Sequence, residues 1–171
     1  PSKRLVHRWR SEADGILIGT TTALMDDPQL DNRLYFGKSP LRIVLDRSLS
    51  LPAHLNIFSD GKKTLIVSEQ IPDALVSEQV QYLQLPFDAL FWEKLMHILW
   101  SEYKLGVVLI EGGAKIFESI LAAQLWDEAR VLEGQNTLEK GIPAPVIPGI
   151  PIKKVALGLD ELKVYRNIHR S

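Results

Sequence analysis

The sequence predicts an α/β protein built on a largely parallel sheet. Short apolar runs, typical of buried strands, alternate along the chain with stretches whose apolar residues recur at helical spacing. The chain has 171 residues, of which 46% are hydrophobic, which suits one domain with one sizeable core. We therefore expect a single domain over residues 1–171.

The predicted elements follow one another in a regular order. A first helix is predicted over Ser2–Ala13, where Leu5, Trp9 and Ala13 recur at helical period. The predicted strands are Ile16–Gly19, Leu41–Asp46, Lys62–Ser68, Val80–Leu85, Gly106–Gly113 and Asp127–Gly134. The further predicted helices are Thr21–Asp27, capped by Thr20 or Thr21 and ended by Pro28, then Phe87–Tyr103 and Ala114–Leu125.

The last part of the chain is less regular. Asn136–Ile152 is rich in proline and glycine without periodicity, and it lies too near the end to separate two domains. Lys153–Arg170 predicts a strand, a turn and a strand. We expect this closing pair to be antiparallel, which would make the sheet mixed.

Composition narrows the class of ligand. The net charge is −1, which does not favour nucleic acid or an acidic membrane surface, and no apolar run approaches the length of a membrane span. Without cysteine there is no disulfide or thiolate site, and the four scattered histidines lack metal-ligand spacing, so we assign no metal. We expect the partner to be a small molecule or another protein. The lack of cysteine is compatible with a reducing compartment, and we expect a cytoplasmic protein. The start lacks a signal peptide and an initiator methionine, which suggests a piece of a longer chain.

The polar candidates follow predicted strands. In a parallel sheet, ligands gather at the carboxyl ends of strands, where Gly112 and Gly113 would let the backbone approach a ligand and Glu111 could accept hydrogen bonds from it. A tight strand–helix turn is the alternative explanation. The threonines after Ile18 are at the same edge and could equally be helix caps.

Charged residues surround these turns. Asp26 and Asp27 oppose the helix dipole at a helix C-terminus, which hints at another role. Arg33 could grip a phosphate or carboxylate with its guanidinium fork, and Arg10 and Arg47 are weaker candidates for an anion. Solvated surface arginines are the alternative in each case.

Taken together, these motifs resemble the riboflavin-biosynthesis reductase domain, the C-terminal half of the bifunctional pyrimidine deaminase/reductase of RibD type. The matching stretches are His7–Arg33, which ends in D-D-P-x-L-x-x-R, Pro40–Asp46 (P-x-R-x-V-x-D), Leu51–Pro52, Glu111–Gly113 (E-G-G) and Asp127–Glu128. The resemblance covers Leu5 to about Val131, and no residue beyond that point is assigned a role.

The resemblance implies a dihydrofolate-reductase-like three-layer sandwich, with a mixed, largely parallel central sheet flanked by helices. It implies NADPH-dependent reduction of 5-amino-6-(5-phosphoribosylamino)uracil to the ribitylamino compound, by direct hydride transfer to the sugar carbon. The implied substrate-binding residues are Arg10, Leu30, Arg33 and Glu111. The implied NADPH-binding residues are Thr22, Asp26, Arg47, Gly113, Ala114, Lys115, Ile116, Phe117, Glu118 and Ser119. Glu111 is also the candidate catalytic residue, although a binding role is favoured.

The resemblance also implies partners. The family suggests a homodimer, for which the helix bearing Trp92 and Trp100 could supply a surface, although burial of both side chains is an equally good explanation. The family's N-terminal strand and the deaminase domain are not in this sequence, so we expect an N-terminally truncated reductase domain. Arg47 is a candidate partner for the 2′-phosphate of NADPH.

Two other functions stay open at this point. One is a related reductase of the same fold that acts on a pterin. The other is a non-catalytic domain that binds a nucleotide or serves in assembly. Retained Arg10, Arg33 and Glu111 favour a catalytic domain, because a vestigial site has little use for charges that face a substrate.

Overall fold

The computed structural model describes residues 2–73, 77–135, 141 and 143–168. The chain divides into two compact units, His7–Gly113 and Ala114–Ser171 with Pro1–Val6. The single domain over residues 1–171 stays a prediction. Most of the proline-rich stretch before Pro143, and His169, lie outside the described residues. Within the described ranges, no helix is long and apolar enough to cross a membrane.

The unit His7–Gly113 contains a five-stranded parallel sheet. Its strands are β1 (Gly15–Gly19), β2 (Leu41–Leu45), β3 (Thr64–Ser68), β4 (Val80–Gln84) and β5 (Val108–Ile110), in the order β4-β3-β2-β1-β5. The helices are α1 (Ser2–Glu12), which begins in the other unit, α2 (Thr20–Asp26), α3 (Asn56–Ser59) and α4 (Phe91–Ser101).

The central strands are buried along nearly their whole length, as expected when both faces of a parallel sheet are covered. Side chains on one face form a core cluster with Ala23 of α2 and with Ile57 and Phe58 of α3. The strand residues in this cluster are Ile16, Ile18, Val44, Ile66 and Val80. The alternate residues, such as Leu17 and Leu65, are fully buried as well. The apolar runs that predicted these strands are therefore core on both faces.

A buried ion pair links β2 to the chain after α3. Arg42 is only 2% exposed, and both of its terminal nitrogens donate to the carboxylate of Asp60, at 2.7 and 2.8 Å. One of these nitrogens also donates to the carbonyls of Ile57 and Lys62. A fully buried arginine is tolerated here because its charge is paired and most of its donors have acceptors.

The second unit contains α5 (Ala114–Ala122), β6 (Glu128–Glu133), β7 (Lys153–Leu157) and β8 (Asp160–Arg166). The strands form an antiparallel sheet in the order β6-β8-β7. β8 pairs with β6 in a register that places Arg166 opposite Glu128. β8 also pairs with β7, and the turn that joins β7 to β8 contains Gly158, with φ of 74°. Leu162 and Val164 of β8 are its buried strand residues.

The predicted α/β class and parallel central sheet are confirmed. The antiparallel strands differ from expectation, because they form a sheet of their own and do not make the parallel sheet mixed. β8 has a hydrogen-bonded neighbour on each side, so β6 and β7 satisfy its backbone groups within this unit.

Three smaller predictions need correction or refinement. α3 was missed, since four residues are too short to show a helical period. The residue at the N-cap of α2 is Gly19, and the hydroxyl of Thr20 donates instead to the carbonyl of Leu45 at 2.8 Å. Of the two tryptophans on α4, Trp92 is buried and Trp100 is 64% exposed.

Candidate functional site

The strand order brings three of the predicted turns to one edge of the parallel sheet. β1 lies between β2 and β5, so the residues after these three strands are neighbours at the carboxyl edge. They are the threonines of α2, Asp46–Arg47 and Glu111–Gly113. This edge is where ligands bind in sheets of this type.

Arg10 and Glu111 form the central contact of the site. The guanidinium nitrogens Nε and Nη2 of Arg10 donate to the two carboxylate oxygens of Glu111, at 2.8 and 2.5 Å. The Arg10 side chain is 13% exposed and that of Glu111 is 19% exposed, so water screens this bidentate pair only partly. Glu111 is itself fixed by its backbone N–H, which donates to the carbonyl of Leu17 at 3.0 Å.

The segment from Leu30 to Arg33 lies against the same arginine. The third nitrogen of Arg10, Nη1, donates to the backbone carbonyl of Asp31 at 3.0 Å. The carboxylate of Asp31 accepts hydrogen bonds from Arg33 at 2.7 Å and from Lys62 at 2.8 Å. Two arginines expected to bind substrate thus meet at one residue, Asp31.

Charge compensation shows in the pKa of Asp31. Burial alone would raise the pKa of this carboxyl, but the hydrogen bonds from Lys62 and Arg33 outweigh burial, and the pKa lies below its ordinary value. Asp31 is therefore ionised at neutral pH. The Arg33 side chain is 56% exposed, which leaves it accessible to an anionic ligand.

His7 contacts this segment from α1. Its Nδ1 accepts the backbone N–H of Arg33 at 3.2 Å, and the residue is 6% exposed. Burial lowers the pKa of His7, and the nearby positive charges of Arg10 and Arg33 lower it further, against the opposing effect of Asp31 and Glu111. An imidazole that accepts at Nδ1 and has a lowered pKa is neutral at physiological pH.

Leu30 takes a structural position. It is 2% exposed within the core cluster and has a left-handed backbone with φ of 53°. This conformation is uncommon for a residue other than glycine. Leu30 anchors the chain between α2 and Asp31, and a substrate-binding role for it stays a prediction.

Gly112 and Gly113 pack against Thr22. A Cβ added at Gly112 would lie 3.0 Å from the hydroxyl oxygen of Thr22 and 3.1 Å from Ile18, which is closer than ordinary contact. Gly113 has φ of 70°, a conformation that favours glycine. The predicted cofactor residues Thr22 and Gly113 are therefore neighbours, and the lack of side chains on the turn is what allows this approach.

Asp26 and Asp27 have different roles. Asp26 is exposed at the end of α2. The carboxylate of Asp27 accepts the backbone N–H of Asn56 at 2.7 Å and its side-chain amide at 2.8 Å, so it caps the start of α3. The second role expected for this acidic pair is thus structural at Asp27, and a ligand role stays a prediction for Asp26.

Arg47 and Asp46 follow β2. Asp46 is buried and accepts hydrogen bonds from Ser50 and from the backbone N–H of Leu51, which closes a turn. Arg47 is 64% exposed, and its Nε lies 2.9 Å from a carboxylate oxygen of Glu69, the residue after β3. Arg47 is thus held at the carboxyl edge, within reach of solvent.

The remaining predicted cofactor residues lie on α5 in the other unit. Lys115, Glu118 and Ser119 are exposed, whereas Ala114, Ile116 and Phe117 are half-buried. The turn at Gly113 leads directly into this helix. A cofactor role for these six residues stays a prediction.

A cavity of about 260 Å³ lies beside the Asp31 network. It is lined by Gln29, Leu30, Asp31, Ser39, Pro40, Leu41, Arg42, Lys62 and Lys63. Leu41 and Lys63 stand at the amino ends of β2 and β3, whereas Glu111 follows the carboxyl end of β5. The cavity therefore includes Leu30 of the predicted substrate-binding residues, but it opens at the amino ends of β2 and β3 and is not lined by Glu111.

The sequence did not predict five members of this network, which are His7, Asp31, Arg42, Asp60 and Lys62. A signal existed for His7, which lies three residues before Arg10 and so on the same face of α1. Asp31 also stood inside the recognised motif, between Leu30 and Arg33. No local signal pointed to Lys62, because only the chain path brings it to Asp31.

Comparison with known proteins gives the relatives of the chain. A 2,5-diamino-6-ribosylamino-4(3H)-pyrimidinone 5′-phosphate reductase of Archaeoglobus fulgidus is 33% identical, over 77% of this chain and 66% of the relative. A protein of the same name from Methanothermobacter thermautotrophicus is 33% identical, over 75% of this chain and 62% of the relative. The chain thus spans slightly less than two thirds of the length of these curated relatives.

Solved structures have the same fold. A diaminohydroxyphosphoribosylaminopyrimidine deaminase/5-amino-6-(5-phosphoribosylamino)uracil reductase of Thermotoga maritima matches with a TM-score of 0.78 and 25% identity, over 95% of this chain and 48% of that one. A riboflavin biosynthesis reductase of Saccharomyces cerevisiae matches with a TM-score of 0.79 and 24% identity, over 96% and 80%. The expected dihydrofolate-reductase-like α/β fold is confirmed. The sequence profile of the RibD C-terminal domain matches residues 1–165, and the chain belongs to the RibD C-terminal domain family.

Proposed function

We propose that this protein reduces the phosphoribosylamino group of 5-amino-6-(5-phosphoribosylamino)uracil to a ribitylamino group in riboflavin biosynthesis, with NADPH as reductant. The observation that carries the proposal is the bidentate, largely buried Arg10–Glu111 pair with Arg33 beside it. Curated relatives are named as reductases of a phosphorylated ribosylaminopyrimidine, which is the same substrate class.

Different charged residues would bind different parts of the substrate. Arg33, more than half exposed, would bind the phosphate with its guanidinium fork. The carboxylate of Glu111 would accept hydrogen bonds from ribose hydroxyls or ring amines, and Arg10 holds that carboxylate in one orientation. These roles are binding and orientation, and they hold the sugar carbon in place for reduction.

The residues at the carboxyl edge fit a dinucleotide. At Gly112 and Gly113 a side chain would fill the space beside Thr22, so the bare backbone of this turn and the Thr22 hydroxyl can face a ligand. Thr22, Asp26, Arg47 and Gly113 would hold the cofactor from this edge. When bound, the dihydronicotinamide supplies the two electrons of the reduction.

Arg47 would select NADPH over NADH. Its exposed guanidinium is held by Glu69 and could bind the 2′-phosphate. Arg47→Ala should then weaken NADPH binding much more than NADH binding in a calorimetric titration. An equal effect on both cofactors would contradict this role.

A second substrate has specific support. The relatives from Archaeoglobus fulgidus and Methanothermobacter thermautotrophicus are named for the 2,5-diamino-pyrimidinone and not for the uracil. The two compounds differ in the ring, while the ribose phosphate that Arg33 would bind is the same. The protein could therefore reduce the pyrimidine before its deamination.

The decisive experiment measures oxidation of NADPH with each pyrimidine in turn, with NADH as the control reductant. Turnover of the uracil compound supports the proposal, and preferential turnover of the diamino compound supports the second substrate. If the folded protein binds NADPH and reduces neither compound, two alternatives gain support, namely a related reductase acting on a pterin and a non-catalytic domain that binds a nucleotide. If the folded protein binds no dinucleotide, the alternative of a non-catalytic domain that serves in assembly gains support.

The relatives also suggest partners. The riboflavin biosynthesis protein RibD of Synechocystis matches over 31% of its length, and the Thermotoga maritima protein is named for both deaminase and reductase activities. We therefore include in the proposal a deaminase domain on the parent polypeptide. The homodimer and the cytoplasmic location are part of the proposal on the family resemblance alone. Sedimentation of the purified protein tests the homodimer.

A further inference from the structure

We propose that His7 is a positioning residue for the substrate: its Nδ1 accepts the backbone N–H of Arg33 and holds the segment Asp31–Arg33 against Arg10. The inference rests on the proposed function, because Arg33 matters here as the residue that binds the substrate phosphate. His7 itself would not touch the substrate.

Helix α1 holds this segment at two points. His7 accepts the N–H of Arg33 at 3.2 Å, and Arg10 donates to the carbonyl of Asp31 at 3.0 Å. The two side chains are one helical turn apart on the same face of α1. One helix therefore fixes the backbone on both sides of Asn32. It also fixes the backbone position from which the Arg33 side chain extends.

The segment needs such an anchor. No helix or strand is present between Asp26 at the end of α2 and Leu41 at the start of β2. The Arg33 side chain is bonded to Asp31 and Gln29, two and four residues before it, and these contacts do not fix the segment relative to Arg10. A binding side chain on a loop is precise only if the backbone beneath it is fixed.

Only neutral histidine can serve in this way. A protonated imidazole has a donor at both nitrogens, so it could not accept the N–H of Arg33. The charged groups that act on His7 are Arg10 and Arg33, which oppose its protonation, and Asp31 and Glu111, which favour it. Burial adds to the effect of the arginines and keeps the pKa of His7 below its ordinary value. Acid would thus release Arg33.

The test compares His7→Asn and His7→Leu with the wild-type protein. Asparagine can present its amide oxygen near the place of Nδ1, whereas leucine fills the site without an acceptor. Loss of one hydrogen bond of this kind corresponds to a rise of about threefold to tenfold in KM for the pyrimidine in His7→Leu. We expect an unchanged KM for NADPH and recovery of most of the pyrimidine affinity in His7→Asn.

A matched control lies on the same helix. Glu12 is half exposed on α1 and pairs with Arg8, so Glu12→Gln should keep both KM values. The pH dependence gives a second readout. The substrate phosphate titrates near pH 6 for every variant. The pyrimidine KM of both proteins should therefore rise at low pH as the phosphate is protonated. Any additional rise in the wild-type protein, absent from His7→Asn, reports the protonation of His7.

The possible results distinguish a failure of this inference from a failure of the proposed function. An active wild-type protein and an unchanged pyrimidine KM in His7→Leu would overturn the inference alone. So would an equal rise in both KM values with a lower melting temperature, which would make His7 purely structural. If His7→Leu does not fold, the pH profile of His7→Asn decides, and a profile identical to wild type overturns the inference. A wild-type protein that reduces neither pyrimidine overturns the proposed function and this inference together.

Discussion

Among single residues, Glu111 stands out because its carboxylate is paired with an arginine while it is mostly shielded from water. Its carboxylate accepts two hydrogen bonds from Arg10 while less than one fifth of the side chain is exposed. Charge-assisted bonds in such a partly dry place are about twice as strong as neutral ones. The charge of Glu111 matters both for its own contacts and for the orientation of Arg10.

Glu111→Gln tests this charge. The amide keeps the size of the side chain but can accept from only one of the two Arg10 nitrogens, so kcat/KM for the pyrimidine should fall about 10-fold to 100-fold. NADPH affinity by calorimetry should stay near that of the wild type. Glu12→Gln, in an exposed i,i+4 pair with Arg8, is the control and should leave kcat/KM unchanged. Normal kcat/KM in Glu111→Gln would exclude a role for the charge.

Gly112→Ala tests the glycine turn. The added methyl would lie 3.0 Å from the Thr22 hydroxyl and 3.1 Å from buried Ile18, which cannot move freely. We expect a loss of about 1–3 kcal/mol in the free energy of unfolding, with weaker NADPH binding, because the turn must shift.

Urea denaturation and calorimetry measure the two effects of Gly112→Ala. Gly134→Ala is a suitable control, since the atom nearest its added methyl would be 3.7 Å away, at ordinary contact distance. If Gly112→Ala kept wild-type stability and NADPH affinity, the close approach to Thr22 would have no functional weight.

Between elements, Arg42 connects β2 with α3 and the start of β3. Its guanidinium bonds Asp60 after α3 and the carbonyls of Ile57 and Lys62. The sequence marks Arg42 as the arginine of the P-x-R-x-V-x-D motif, in an otherwise apolar strand, but it does not indicate its partners. Its role arises because the chain after α3 returns to the amino end of β3, beside β2.

Arg42→Met should lower the free energy of unfolding by about 3 kcal/mol, because Asp60 would keep a poorly solvated charge without the guanidinium of Arg42. Urea denaturation measures this loss. The double variant Arg42→Met with Asp60→Leu should recover part of this loss, since no unpaired charge remains. Lys63→Met, at an exposed neighbouring lysine, serves as the control. Wild-type stability in Arg42→Met would contradict a structural role for the pair.

Across the molecule, several carboxyl groups have pKa values below their ordinary ones. Hydrogen bonds from Lys38, Arg47 and Lys94 lower the pKa of Asp14, Glu69 and Asp88 respectively. Burial raises the pKa of Asp31 and Asp60, but hydrogen bonds from Lys62 and Arg42 more than offset it. Each group therefore stabilises the fold when it is ionised.

The sign of the pH dependence follows. A lowered pKa in the folded state gives stability that is present above the unfolded pKa and lost as the pH falls through the folded one. His7 obeys the same rule, starting from an ordinary value of 6.5. The free energy of unfolding should be level from this value up to the alkaline range where tyrosine and lysine titrate, near pH 10, fall slightly below pH 6.5, and fall steeply below about pH 4.

Urea midpoints at a series of pH values measure this curve. His7→Asn should remove the shallow decrease below pH 6.5 and leave the steep one, because it lacks the titrating imidazole but keeps every carboxylate. Midpoints that rise between pH 7 and pH 4 would contradict the assignment of these pairs.

By itself, the sequence determined most of the helices and strands, and the family. Hydrophobic period is a local property, so the apolar runs at Ile16–Gly19 and Leu41–Asp46 predicted β1 and β2 within a residue. The D-D-P-x-L-x-x-R run and the E-G-G turn identified the family for the same reason, since each lies within a few consecutive residues.

Only the tertiary structure decided which charges meet. Arg10 bonds Glu111 across 101 positions of sequence, and Lys62 bonds Asp31 across 31. The second sheet of β6, β7 and β8 was decided there as well. Such contacts depend on strand order and on the path of connecting loops. No local pattern encodes that path, because it is the packing of the whole core that selects it.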